Sequence, residues 1–410
     1  MTTRAGVTPL GASTAGSSRI SPLTSTRLDW WALARVQRSV SSAPIRFALW
    51  DGFEIAPAAV PPVGTIRFLN RAALLGWVWD PELNFGETYM SGAVEIQGDL
   101  VGVLEAVYRA LGRPARRPWW LWQKSNDARA AQENVHHHYD LGNEFYRLWL
   151  DRDLVYTCAY FPTPAATLEE AQIAKMDLVC RKLYLQPGDR VLEAGCGWGS
   201  LALFMARRYG VTVRAFNISS EQIAYARHRA EEEGLADRVE FVEDDYRHVR
   251  GSYDVFVSIG MLEHVGAPDY PTLGRVIDRS LTEGGRGLLH FIGRSQPEPL
   301  NPWIRKRIFP GAYAPTLSEV FEHVLQPHAF SVLDVENLRL HYAKTLEHWG
   351  RRFDGSADQV AAMFDDAFVR AWRLYLAGSQ ASFTTGWMQL FQVLFARGAN
   401  NALPWTRAGA

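Results

Sequence analysis

Apolar and polar positions along the chain follow two periods, and the period changes from segment to segment. Between Leu168 and Leu185, the residues Ile173, Met176, Cys180 and Leu183 recur at helical spacing with charged residues between them, which predicts an amphipathic helix. A strand, a glycine-rich turn and a helix follow in Arg190-Val-Leu-Glu-Ala-Gly-Cys-Gly-Trp-Gly-Ser-Leu-Ala-Leu-Phe-Met-Ala206. Short apolar runs at 211–216, 239–242, 253–258 and 287–292 predict further strands, and helical patterns occupy 219–233 and 268–281 between them. Apolar strands alternating with helices predict an α/β fold: an open, mostly parallel sheet with helices on both faces. Upstream, 45–50 and 64–68 read as strands and 99–108 as a helix, so residues 27–111 form a small N-terminal α+β domain. Near the other end, 361–378 and 385–397 both predict helices, with Phe364, Phe368, Trp372, Trp387, Leu390, Phe391 and Phe395 on apolar faces.

Composition narrows the class. The 410 residues are 47% hydrophobic and 21% charged, which excludes a disordered or fibrous chain and allows two domains. With 43 basic and 44 acidic side chains the net charge is -1, which argues against bulk nucleic-acid binding. Residues 1–26 are rich in Ser, Thr and Gly without an apolar centre and read as a disordered leader, and no run approaches the ~20 apolar residues that span a bilayer. Two prolines and three arginines in Gly112-Arg-Pro-Ala-Arg-Arg-Pro118 mark a linker over 112–124, with a second domain over 125–410. In that linker Arg113, Arg116, Arg117 and Lys124 flank Trp119, Trp120 and Trp122, a pattern that suits an anionic membrane surface and equally suits packing between domains. Cys158, Cys180 and Cys196 lack CxxC spacing, so neither a disulfide framework nor a zinc ribbon is expected, and a reducing cytoplasm is the simplest location. His136, His137 and His138 point in different directions on any regular backbone, and no metal site is expected.

The turn carries the clearest chemistry. Gly195, Gly197 and Gly199 follow a strand and open a helix, which lets the backbone approach a ligand at the carboxyl edge of the sheet. The spacing is GxGxG rather than the GxGxxG of dinucleotide sites, and Glu193 lies two residues before the first glycine, a combination that points to S-adenosylmethionine. Cys196 lies within the turn and Cys180 on the apolar stripe of its helix. Asn217 or Gln222 is placed to hydrogen-bond the ribose or the amino-acid part, Asp245 to take the adenine amine and Tyr246 to stack. Each of these side chains is equally compatible with a solvated loop position.

Seven segments occur in one order: Asn134-Val-His-His-His-Tyr-Asp-Leu-Gly-Asn143, Tyr156-Thr-Cys-Ala-Tyr-Phe161, the GCGWG turn, Gly260-Met-Leu-Glu-His-Val-Gly266, Leu289-His-Phe-Ile-Gly293, Arg307-Ile-Phe-Pro-Gly311 and His341-Tyr-Ala-Lys-Thr-Leu346. Together they resemble the cyclopropane fatty acid synthase family, which includes the mycolic acid cyclopropane synthases, over roughly residues 125–400. The resemblance implies a class I, Rossmann-like S-adenosylmethionine methyltransferase whose small N-terminal domain handles lipid. It implies transfer of a methylene from S-adenosylmethionine to a cis double bond of a phospholipid acyl chain. A bicarbonate held by positions matching Cys158, Glu263, His290, Ile292 and Tyr342 would remove the proton that closes the ring. His290 and Tyr342 can donate to a small anion, backbone amides around Cys158 and Ile292 can complete its cradle, and Glu263 can accept the bicarbonate O–H. Tyr156 and Thr157 join the cofactor contacts, and the rings of Tyr139, Tyr156, Tyr160 and Phe161 offer π faces to a carbocation.

The implied partner is the phospholipid bilayer, met peripherally at the inner membrane surface from the cytoplasm, and a homodimer is compatible with the sequence. Thr157, Asn217 and Arg294 depart from the usual pattern and bear on substrate preference and cofactor contacts. A methyl- or methylene-branched product is the nearest alternative outcome, and a catalytically silent lipid-binding protein is the alternative of another class. The apolar C-terminal segments fit a helical lid over an acyl tunnel or a packed bundle.

Overall fold

A computed structural model describes residues 24–57, 60–112, 141–398 and 400–406. Most of the expected leader, the linker residues 113–124, His136, His137, His138 and Tyr139 lie outside the described residues. The last residues of the expected leader are tied down instead: the Ser25 amide donates to Asp51 at 2.7 Å, and Thr26 and Asp29 form a capping box at the start of helix Arg27–Ser39.

The N-terminal domain is a four-stranded sheet in the order β2-β1-β3-β4, from strands β1 (Ile45–Ala48), β2 (Glu54–Ile55), β3 (Gly64–Phe68) and β4 (Val94–Gly98). β1 and β3 run parallel, while β2 and β4 are antiparallel to their neighbours. Helices Arg27–Ser39, Arg71–Trp79, Pro81–Met90 and Leu100–Leu111 complete the domain. Three of them start where a short polar side chain takes up an otherwise unpaired amide: Asn70 accepts from Ala73, Asp80 from Leu83 and Asp99 from Gly102.

The second domain is built on a seven-stranded sheet in the order β10-β11-β9-β8-β5-β6-β7. Its strands are β5 (Arg190–Ala194), β6 (Thr212–Asn217), β7 (Val239–Glu243), β8 (Tyr253–Ile259), β9 (Leu281–Gly293), β10 (Phe330–Asn337) and β11 (Gln389–Arg397). β7, β6, β5, β8 and β9 are mutually parallel, and β11 and β10 add an antiparallel edge. The chain runs outward from β5 to β6 and β7, then returns to place β8 on the other side of β5. That reversal leaves a crevice at the carboxyl ends of β5 and β8, where the glycine turn lies.

Two sequence expectations are corrected here. The segment 385–397 is not a helix: residues 389–397 form β11, wedged between β9 and β10, and the helix before it is Asp366–Thr385. The strand is buried on both faces, so its apolar side chains carry no visible alternation to separate it from a helix. The pairing is close enough that a Cβ on Gly287 of β9 would collide with the Phe395 ring. Ile173 leaves the predicted stripe and is 43% exposed, because the buried face of helix Leu168–Lys182 carries Gln172 and Lys175 instead.

The two domains share a packed seam. Helix Leu100–Leu111 lies along helix Asp366–Thr385, and helix Pro81–Met90 touches that helix and Pro302–Arg307. Arg307 makes a two-pronged ion pair with Glu87 at 2.8 and 2.6 Å, and the Trp387 indole donates to the Tyr108 carbonyl at 3.0 Å. Gly86 faces Trp303 so closely that any side chain there would overlap the indole.

Candidate active site

All three turn glycines adopt positive φ, at 83°, 54° and 81° for Gly195, Gly197 and Gly199. A Cβ on Gly195 would come within 2.8 Å of Met261, and one on Gly199 within 2.5 Å of Phe241, so both positions are fixed by close packing. Nothing lies within 4 Å of a Cβ built on Gly197, which faces open space. The amides of Gly195 and Cys196 both donate to the Phe216 carbonyl, at 2.9 and 3.1 Å, tying the turn to β6.

That open space belongs to a cavity of about 850 Å³ that runs from the turn to the domain seam. It is lined by Tyr156, Thr157, Glu193, Cys196, Asn217, Gln222, Asp245 and Tyr246 together with Gly195 and Gly197 of the turn, so these predicted cofactor residues share one cavity. Their individual geometry differs from the sequence expectations. Asn217 is spent on the protein, donating to the Gly197 carbonyl and to Gln222 Oε1 at 2.7 Å, which leaves Gln222 Nε2 buried without a partner. Asp245 accepts from the Arg247 amide and guanidinium, each at 2.8 Å, and Arg247 lies over the Tyr246 ring at 4.9 Å.

The loop carrying Tyr156, Thr157 and Cys158 is clamped by helix Leu168–Lys182 on one side. Gln172 donates to the carbonyls of Val155 and Thr157, and Lys175 Nζ donates to Thr157 Oγ1 at 3.0 Å. On the other side Thr345 Oγ1 accepts from the Ala159 amide at 3.0 Å. Lys175 is 2% exposed and Glu193 equally buried; burial pulls the lysine down to about 8 and pushes the carboxyl up to about 8. A cation entering this end of the cavity would favour the Glu193 carboxylate. Sequence reading missed Lys175 and Gln172, although polar residues three apart on an otherwise apolar helix stripe are the signal that could have found them.

Further along the same cavity, Cys158, Glu263, His290, Ile292 and Tyr342 converge from four different elements. Cys158 sits in the clamped loop, Glu263 on helix Leu262–Val265 after β8, His290 and Ile292 near the end of β9, and Tyr342 on helix Arg339–Gly355. Gln392 on β11, directly across from His290, places Nε2 at 3.0 Å from His290 Nδ1. With the glutamine amide so assigned, Nδ1 accepts and the proton sits on Nε2, which is buried without a protein partner. Burial holds this imidazole well below its ordinary range, and so neutral. Gln392 was not foreseen either, because its segment was read as a helix.

Glu263 Oε1 accepts the Ile292 amide at 2.6 Å and Oε2 is buried with no partner. The Ile292 amide is therefore already spent, which corrects the expectation that it completes an anion cradle. The Cys158 thiol is fully buried, donates to the Ala159 carbonyl at 3.1 Å, and is pushed up by desolvation, so it is neither thiolate nor nucleophile. Of the rings expected to face a carbocation, Tyr156 lines the cavity. Tyr160 and Phe161 do not, because both turn away to stack on His341. Tyr342, Phe309 and Tyr375 supply rings there instead.

Comparison with known proteins decides the family. The family model described as mycolic acid cyclopropane synthetase matches residues 126–393. The chain belongs to that family. A second model, for a domain described only as of unknown function, matches residues 33–114. A probable fatty acid methyltransferase from Pseudomonas putida is 37% identical over 386 residues, covering 89% of this chain and 95% of that protein. A cyclopropane-fatty-acyl-phospholipid synthase from Escherichia coli strain K12 is 40% identical over 267 residues, 65% of this chain and 68% of that protein. The crystal structure of mycolic acid cyclopropane synthase CmaA1 complexed with SAH and CTAB superposes with a TM-score of 0.62 at 32% identity, over 65% of this chain and 98% of that one. This member of the mycolic acid cyclopropane synthetase family is an S-adenosylmethionine-dependent methyltransferase with the class I fold.

Burial pushes Glu263 up to about 7 from the ordinary 4.5. The folded protein binds that proton more tightly than the unfolded chain, so the group favours folding below about pH 4.5 and loses that contribution as pH rises through 7. Glu263→Gln keeps an oxygen for the Ile292 amide. It is expected to raise the stability of the ligand-free protein at pH 8 by up to ~3 kcal/mol and at pH 5 by under ~1 kcal/mol. Urea unfolding at the two pH values checks this, and a variant no more stable than wild type at pH 8 contradicts it.

Proposed function

We propose that the protein is a cyclopropane-fatty-acyl-phospholipid synthase, bridging the cis double bond of a phospholipid acyl chain at the inner, cytoplasmic surface of a membrane. One observation carries this reading: in the cavity that the glycine turn also lines, Glu263 Oε2 and His290 Nε2 are both buried without a protein partner. An acceptor and a donor left unpaired together cost free energy unless a small ligand with both functions fits between them. Bicarbonate has an O–H for Glu263 and oxygens for the Nε2–H of His290, so the chemistry of the wall suits it. When bound there, it supplies a base for the proton that must leave.

S-adenosylmethionine, when bound, supplies an electrophilic methyl group. Gln222 Nε2, Glu193, Thr157 and the open backbone at Gly197 are the groups this chain offers to hold it. Lys175 acts as a positioning residue: by donating to Thr157 Oγ1 it leaves the threonine proton free to point into the cavity. An alkene is a weak nucleophile, so the protein must align it and keep water out. The near-complete burial of Cys158, His290, Glu263 and Tyr342 does the second. Aromatic faces of Tyr156, Phe309, Tyr342 and Tyr375 would stabilise positive charge on the chain, an effect worth ~2 kcal/mol or more where desolvated.

Access from a bilayer has support in the N-terminal domain. Leu28, Trp31, Leu75 and Trp79 are 60%, 52%, 42% and 90% exposed on helices Arg27–Ser39 and Arg71–Trp79, which pack side by side. Arg27, Arg35 and Arg38 on the first of these helices have no acidic partner among the described residues. Indoles beside unpaired arginines suit the headgroup zone of an anionic membrane. Among the described residues no helix is long and apolar enough to cross a membrane. A second reading, a fatty-acyl methyltransferase giving a branched chain, is favoured by the Pseudomonas putida relative, whose match spans both domains.

Incubation with labelled S-adenosylmethionine and liposomes of a cis-monounsaturated phospholipid is expected to give upfield ring-proton signals in the extracted lipid, dependent on added bicarbonate. Label without ring protons would replace this reading by the branching one, and no transfer would revive a lipid-binding protein. Lys175→Met is expected to weaken S-adenosylmethionine binding roughly 10- to 100-fold, the range of a buried charged hydrogen bond, with a smaller loss in kcat. Isothermal titration and steady-state kinetics measure both, and wild-type affinity in the variant contradicts the positioning role.

A further inference from the structure

We infer that the N-terminal domain takes the methyl-terminal end of the acyl chain into its own interior and thereby sets how long a tail beyond the double bond the protein accepts. The inference rests on the reading above that the substrate is an acyl lipid. It begins from where the cavity ends. Val36, Phe47, Ile66 and Trp77 line it, although they are only 5%, 2%, 1% and 7% exposed. They belong to helix Arg27–Ser39, β1, β3 and helix Arg71–Trp79, so the cavity penetrates between the sheet of the small domain and its helices. Leu104 and Val107 on helix Leu100–Leu111 continue the lining toward the seam.

Domain interiors are close-packed, and a void lined by apolar groups forfeits contacts that folding would otherwise gain. A domain of about eighty residues has little stability to spare for such a void. An apolar occupant restores those contacts, and dry apolar cavities do bind apolar molecules. Polarity along the cavity gives the occupant a direction. The end beside the turn is lined by Lys175, Glu193, Asp245, Arg247, Glu263 and His290, and Arg294 lines the cavity paired with Glu298, whereas the N-terminal domain contributes Glu82 as the one charged lining residue among its described residues. A phosphate headgroup could not be desolvated among Val36, Phe47 and Ile66, but a hydrocarbon tail could. With the double bond held beside Glu263 and His290, the tail beyond it crosses the seam past Trp303 and ends in the small domain.

Vesicles of palmitoyl-oleoyl-phosphatidylglycerol doped with a phospholipid bearing a diazirine at the last carbons of its sn-2 chain test this with the full-length protein. Irradiation followed by peptide mass spectrometry is expected to place label on Val36, Phe47, Ile66 or Trp77, and Val36→Phe is expected to abolish that label. Terminal label confined to residues 141–398, or label in the small domain that survives Val36→Phe, would overturn the inference. Capture reads binding without turnover, so failure of methyl transfer by the wild type would count against the proposed reaction and leave the labelling result interpretable. Val36→Phe is also expected to lower turnover of a cis-9 18-carbon chain at least about fivefold relative to a cis-9 14-carbon chain, and an unchanged ratio would overturn it.

Discussion

Desolvation is the constraint on which the rest of this molecule depends. Lys175, Glu193, Glu263 and His290 are at most 7% exposed, yet all four line one cavity. Burying ionisable groups is costly unless each is hydrogen-bonded, neutralised or poised for a ligand. The structure uses all three routes. Lys175 has the Thr157 hydroxyl, His290 is held neutral and fixed by Gln392, and Glu263 is half satisfied by the Ile292 amide with its second oxygen unspent.

The fold can be understood as the means of bringing those groups together. Reversal of strand order at β5 creates the crevice, and the glycine turn opens it to a ligand. The antiparallel β11, inserted beside β9, delivers Gln392 to the far side of His290. Helix Leu168–Lys182 turns a polar pair inward to clamp the Tyr156–Cys158 loop, and helix Arg339–Gly355 closes the wall with Tyr342. A buried polar pocket next to a long apolar one is what the proposed alkylation of an acyl chain requires, because water would quench a cation that the chain itself cannot stabilise.

Much of this was legible in the sequence, and the failures have physical causes. β5 to β9 were readable because apolar runs bounded by turn residues have few alternatives, and the GxGxG spacing followed by a helix located the crevice. β11 was misread because a strand buried on both faces loses the alternation that identifies it. Ile173 was placed inside by its helical spacing with Met176, Cys180 and Leu183, while Gln172 and Lys175 take the buried face and hydrogen-bond the loop. Side-chain roles were less legible than positions. Gly195, Gly197 and the five-residue cluster line one cavity, but no spacing rule could show that Asn217 serves the turn, that the Ile292 amide serves Glu263, or that Tyr160 and Phe161 face His341.

The central claim is that the buried wall of Glu263 and His290 exists to hold a base against the newly added methyl group. It is tested most directly by turnover with S-adenosylmethionine carrying a trideuterated methyl, followed by mass analysis of the acyl chain. Loss of the proton from that methyl predicts a product that retains two deuterium atoms. Retention of all three would place the proton loss on the acyl chain itself and contradict the role assigned to the wall.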